Sequence, residues 1–121
     1  MSSLNSFGSI MTFAIELEAN LRDYYATSGN DERAKAADKR RKKLERARRE
    51  SVVEITLEPI DGVDESKYQF NFDDNTDNGQ TVIETTATQF YQDVAPKMNV
   101  RQARRALERC GEEHQALLGH S

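Results

Sequence analysis

One cysteine, two prolines and no tryptophan occur in 121 residues, and only 7% of the chain is aromatic. A lone Cys110 excludes an internal disulfide framework and fits a reducing compartment. Scarce proline and few runs of β-branched residues disfavour a sandwich or barrel and favour helices. The first stretch, MSSLNSFGSIMTFAIELE, has no basic region ahead of its apolar part and soon meets acidic residues. It reads as neither a signal peptide nor a membrane span, so a cytoplasmic protein without membrane contact is expected. No phosphate-binding glycine loop, serine nucleophile with a base, or pair of catalytic acids is visible.

What the chain has in quantity is charge. Charged residues make up 31% and apolar residues 36%, with a net charge of −4. The length suits one domain, 1–121, with a real core. The low apolar share suggests that a partner subunit completes some surface, and the net acidity argues against a general nucleic-acid binder. Charge is uneven: residues 31–50 hold ten Lys/Arg against five Asp/Glu, whereas 54–84 hold nine Asp/Glu against one Lys. Solvated surface explains each run alone; the alternative is that the two patches meet, within a subunit or across a dimer.

Apolar spacing predicts four helices. The first covers about 9–27 through Ile10, Phe13, Leu17, Leu21 and Tyr24, and Ser28, Gly29 and Asn30 end it. Asp31 is the expected cap of the second, which opens about residue 32 with a thin seam of Ala37, Leu44 and Ala47 that continues to Val52 and Ile55. The third spans about 81–95 and the fourth about 100–118, joined by the short link Pro96–Asn99, so they should be antiparallel neighbours. Between helices two and three, residues 57–80 are rich in Asp, Asn and Gly. Tyr68, Phe70 and Phe72 alternate there in a strand-like manner, so 52–58 and 67–73 read either as a β-hairpin or as helix plus loop; the continuous LERARRES register favours helix for 52–57. A long crossover at this point makes helices two and three parallel.

The chain also repeats itself. ELEANLRDYY in helix one aligns with VIETTATQFY in helix three, placing Glu18 on Glu84 and Tyr25 on Tyr91. Seven residues separate each glutamate from its tyrosine, so the pair shares one helix face. LERARRESVVEI (44–55) aligns likewise with LERCGEEHQALL (107–118), which describes a duplicated helical hairpin.

With these motifs the chain resembles the rubrerythrin-like branch of the ferritin-like superfamily, through FAIELEANLRDYY and LERCGEEHQALL above all. The resemblance covers nearly the whole chain outside the 57–80 crossover. It implies an all-α, ferritin-like four-helix bundle. In that family two helices each supply a glutamate and two supply Glu-x-x-His, all directed onto two metal ions, with iron or manganese as cofactor.

Carried over residue by residue, Glu18 and Glu84 match the single-glutamate positions and His114 the second histidine. Gly111 stands where its partner glutamate belongs, and Arg48 and Ser51 occupy the other pair, so three of six ligands remain. Two sites are compatible with this. In one, Arg48 forms an ion-pair cluster with Glu18 and Glu84, since buried carboxylates require a cation. In the other, Glu18, Glu84 and His114 hold a reduced metal site. Tyr25 and Tyr91 are expected as core-edge aromatics with hydrogen-bonded hydroxyls, Cys110 as a packing residue, and His114, unless it is a ligand, as a partly exposed polar residue. Gly111 should allow close helix approach or leave a small cavity. The expected function is a non-catalytic structural or interaction module that has lost its di-iron centre and forms a homodimer, for which the thin seam of helix two and the alternation of Tyr68, Phe70 and Phe72 are the grounds. Its rivals are a rubrerythrin-related oxidase or peroxidase, and a nucleic-acid-associated protein using Lys42, Lys43 and Arg49.

Overall fold

The computed structural model describes residues 6–51, 63–98 and 100–118. They form α1 (Phe7–Thr27), α2 (Asp31–Ser51), α3 (Asp77–Val94) and α4 (Arg101–Leu118), with short 3-10 turns at Glu65–Lys67 and Ala95–Lys97. No strand occurs among the described residues. The described part of the chain is therefore all-α, and none of its helices is long and apolar enough to cross a membrane.

Local chemistry sets the helix ends. Ser6 caps α1: its hydroxyl accepts from Ser9 N at 3.1 Å while Ser9 Oγ accepts from Ser6 N at 3.2 Å, a capping box with serine in the usual glutamate place. Gly29 ends the first hairpin arm at φ +83°, where an L side chain is disfavoured. The cap of α2 is Asn30, one residue before the expected Asp31, because its Oδ1 accepts from Arg33 N at 3.1 Å. Thr76 caps α3 by accepting from Gly79 N.

Side-chain pairs that run in opposite senses establish the helix directions. Glu18 meets Arg40 and Arg22 meets Asp38, so α1 and α2 are antiparallel. Tyr25 meets Glu84 and Tyr91 meets Glu18, which makes α1 and α3 antiparallel. Arg40–Glu113 and Glu50–Gln102 do the same for α2 and α4. The order around the bundle is α1, α2, α4, α3. The core is filled by Ile10, Met11, Leu17, Leu21, Leu44, Ile83, Phe90 and Leu107, each 3% exposed or less. Burial of each such side chain contributes about 1.5–3 kcal/mol. Among the described side chains of α2, those buried are alanines, Leu44 and one arginine, as its thin seam foretold.

Residues 63–76 lie on the α1–α3 side. Tyr68 is buried, its hydroxyl donates to Asp93 Oδ2 at 2.6 Å, and its ring packs edge-on to Phe90 at 5.2 Å. Phe70 and Phe72 stack at 5.7 Å and rest against the core. Tyr24 donates to the carbonyl of Asp74 at 2.6 Å. The Tyr68–Phe70–Phe72 alternation thus serves packing within the chain, and residues 68–73 form neither helix nor strand. The expected pairing or helix at 52–58 lies outside the described residues.

Candidate functional site: a buried ionic cluster

Each helix sends one acidic or basic side chain to a common point in the middle of the bundle. Glu18 comes from α1, Arg40 from α2, Glu84 from α3 and His114 from α4, all 2% exposed or less. Buried charges persist only when paired and hydrogen-bonded, and here the pairing is dense. Glu18 Oε1 accepts from Arg40 Nε at 2.8 Å, and its Oε2 accepts from Tyr91 Oη at 2.6 Å and from His114 Nε2 at 2.8 Å. Glu84 Oε1 lies 2.5 Å from His114 Nδ1, and its Oε2 accepts from the Tyr25 hydroxyl. Every carboxylate oxygen therefore has a donor.

The imidazole lies between two carboxylates, one on each ring nitrogen, which calls for protons on both nitrogens. Burial alone would lower the His114 pKa; the charge of Glu18, then hydrogen bonds to Glu18 and Glu84, outweigh it and hold the pKa at about 9. His114 is thus an imidazolium at neutral pH. Burial would raise Glu18, but the charge and hydrogen bond of His114, followed by Arg40, bring it below the ordinary carboxylate value. Two anions face two cations, and the cluster neutralises itself. Arg40 also donates to the half-exposed Glu113 at 3.0 Å, which leads the network to the surface. Its Nη2 is buried without a partner, one unsatisfied donor in an otherwise complete network.

The tyrosines are crossed between the hairpins: Tyr25 of α1 serves Glu84 of α3, and Tyr91 of α3 serves Glu18 of α1. Burial, reinforced by these carboxylates, raises both phenols, so both remain donors. Tyr91 also stacks on His114, with ring centres 5.6 Å apart and planes 9° apart. Arg33 lies 5.5 Å from the centre of the Tyr25 ring. Cys110 is buried, and burial pushes its thiol pKa up, in keeping with a packing role.

The structure brings Glu18, Glu84, His114, Tyr25 and Tyr91 together, and it corrects two expectations. Arg48 is exposed and takes no part; the buried cation of α2 is Arg40, eight residues earlier. The reason is hairpin geometry. Gly29 lies midway between residues 18 and 40, and residues equidistant from a tight helical turn face one another. Counting outward from Gly29 would have found Arg40, whereas aligning LERARRES with LERCGEEH pointed two turns away. Nor is His114 partly exposed: it is wholly buried, because the apolar stripe of α4 carries it inward with Leu107 and Cys110.

Gly111 proves to be a place of close approach. A Cβ at this position would lie 2.9 Å from Tyr91 Cβ, too near for any side chain without movement. A glutamate there, which the dinuclear ligand set requires, has no room. The donors that remain are already committed to one another, and the Arg40 guanidinium opposes a divalent cation beside Glu18. Among the described residues no group of three or more His, Cys, Asp or Glu is disposed to hold a metal ion. The side chains do not fit a two-metal centre. Set against known proteins, the chain matches no family model, and no curated protein or solved structure is significantly similar to it.

Proposed function

We propose that this chain is a ferritin-like bundle of the rubrerythrin type in which a self-neutralising ionic cluster stands in place of a di-iron centre, and that it works as a non-catalytic structural or interaction module in the cytoplasm. The observation that carries this reading is the arginine–glutamate–histidine–glutamate cluster, whose carboxylate oxygens all have protein donors. The crossed tyrosine–glutamate pairs support a duplicated hairpin, since a two-fold exchange of α1 with α3 reproduces them. The common direction of α2 and α3 supports one long crossover between the halves. The thin α2 seam supports a homodimer; Tyr68, Phe70 and Phe72, engaged within the chain, do not bear on it.

Elemental analysis of protein purified without chelator or affinity metal tests the proposal. Iron, manganese and zinc far below one ion per chain are expected, and a stoichiometric content of any of them overturns it. A second reading, a rubrerythrin-related oxidase or peroxidase with iron or manganese on Glu18, Glu84 and His114, rests on the nearness of those three side chains and requires a metal to take the place of the protons between them. That reading requires bound metal which Glu18→Ala or His114→Ala abolishes.

A further inference from the structure

Charge is divided between two sides of the bundle. α2 and α4, packed antiparallel, hold fourteen Lys/Arg against eight Asp/Glu, whereas α1, α3 and residues 63–76 hold two against ten. The Glu50–Gln102 contact brings one stripe of each helix together at the seam. At helical spacing Lys39, Lys43 and Arg46 precede Glu50 on α2, and Arg105 and Arg109 follow Gln102 on α4. All five cations are exposed. Arg46 pairs with Glu50 at 3.3 Å, and the other four enter no ion pair among the described residues. On the far side, where residues 63–76 lie on α1 and α3, Glu16, Asp73 and Asp77 are exposed and equally without a cation among the described residues.

We infer that the basic α2–α4 face docks the acidic α1–α3 face of a second copy of this chain. Each copy carries both surfaces, and their charges are complementary. A nucleic acid would find the same cations but would also meet the repulsion of a molecule whose net charge is −4. Because the two faces lie on opposite sides of the bundle, the contact is head to tail rather than isologous. Each added copy leaves one face of each kind free, so association continues until a ring closes or a filament grows. This names the partner in the interaction-module reading as a second copy but replaces the closed homodimer of that reading with a head-to-tail assembly, and it stands apart from the metal question, since a metal-loaded bundle would present the same faces.

Sedimentation velocity of the full chain tests it in about 20 mM and about 500 mM sodium chloride, where the screening length falls from roughly 20 Å to roughly 4 Å. Oligomers at low salt that dissociate at high salt are expected. The variant Lys43→Glu/Arg105→Glu/Arg109→Glu and the variant Glu16→Lys/Asp73→Lys should each associate about tenfold more weakly than the parent or not at all. An equimolar mixture of the two should associate again, because each then offers the face the other has lost. Circular dichroism checks that both variants are folded, and the salt series on the parent needs no substitution. A monomer at low salt overturns the inference, as do reversed variants that associate like the parent. So does a monomeric protein that binds duplex DNA through Lys43, Arg105 and Arg109.

Discussion

Arg40 and Glu18 face each other across the first hairpin, 2.8 Å apart and both buried, from positions equally far in sequence from Gly29. Replacing Arg40 with methionine should lower unfolding stability by about 3–5 kcal/mol, because it leaves the buried carboxylates of Glu18 and Glu84 to share the His114 imidazolium alone rather than merely deleting a contact. The double variant Arg40→Met/Glu18→Gln should recover more than half of that loss. Urea unfolding followed by circular dichroism measures both together with Glu18→Gln alone, and a double-variant loss equal to the sum of the two single losses would show that the pair is not coupled.

His114 gives stability a pH dependence whose sign follows from its position. Its folded pKa, about 9, lies above the ordinary 6.5, so the native state holds the proton more tightly than the unfolded chain. Its contribution is complete below 6.5 and disappears as pH rises through about 9, a change on the order of 3 kcal/mol. Glu18 acts in the opposite sense: lowered from 4.5, it stabilises above that value and stops doing so as pH falls through its folded pKa. Thermal unfolding should therefore be highest between about pH 5 and 6.5 and decline toward 9. The decline should be much shallower in His114→Gln, and an equal slope in both proteins would refute the assignment.

The crossed tyrosines are not equivalent in cost. Tyr91→Phe leaves Glu18 Oε2 still bonded to His114, whereas Tyr25→Phe removes the donor that Glu84 Oε2 has among the described residues. Hydrogen bonds to charged groups contribute about 1.5–3 kcal/mol. Tyr25→Phe should fall near the upper end and Tyr91→Phe near the lower, and denaturant midpoints on the two variants decide the order.

Two glycines should resist substitution for steric reasons. At Gly111 an alanine gains about 1 kcal/mol of helix propensity but sets its Cβ against that of Tyr91 at 2.9 Å. At Gly79 a Cβ would come within 2.5 Å of the Asp74 carbonyl oxygen, which also accepts from Tyr24. Gly111→Ala should cost about 1 kcal/mol net, and Gly79→Ala about 1–3 kcal/mol. If either variant melts at or above the parent temperature, the local fit has been misjudged.

The four helices were legible because each carries an apolar stripe at helical spacing and polar caps that name their own positions. Glu18 and Glu84 were found by their identical distance to a following tyrosine, and His114 by its match to the histidine of a Glu-x-x-His helix, although its full burial was not expected. Arg40 escaped notice inside a run of ten cations, where no local pattern distinguishes the one that turns inward. Only the turn at Gly29 does so, by fixing which residues of the second arm oppose the first. Gly111 could be flagged as a gap, but its tight approach to Tyr91 depends on how two helices pack, which spacing along one helix does not encode. The aromatic alternation at 68–72 was visible as a pattern, yet the same pattern serves a strand, a dimer face or a segment laid over its own bundle.

The crossing of Tyr25 and Tyr91 bears on how the molecule comes apart. Each hairpin contains a buried glutamate whose donors belong partly to the other hairpin: Glu18 relies on Tyr91 and His114, and Glu84 on Tyr25. A hairpin on its own would have to seal a carboxylate away from water with its neutralising shell half built. Neither half is therefore self-sufficient, and the two should fold and unfold as one cooperative unit, with no stable half-bundle between.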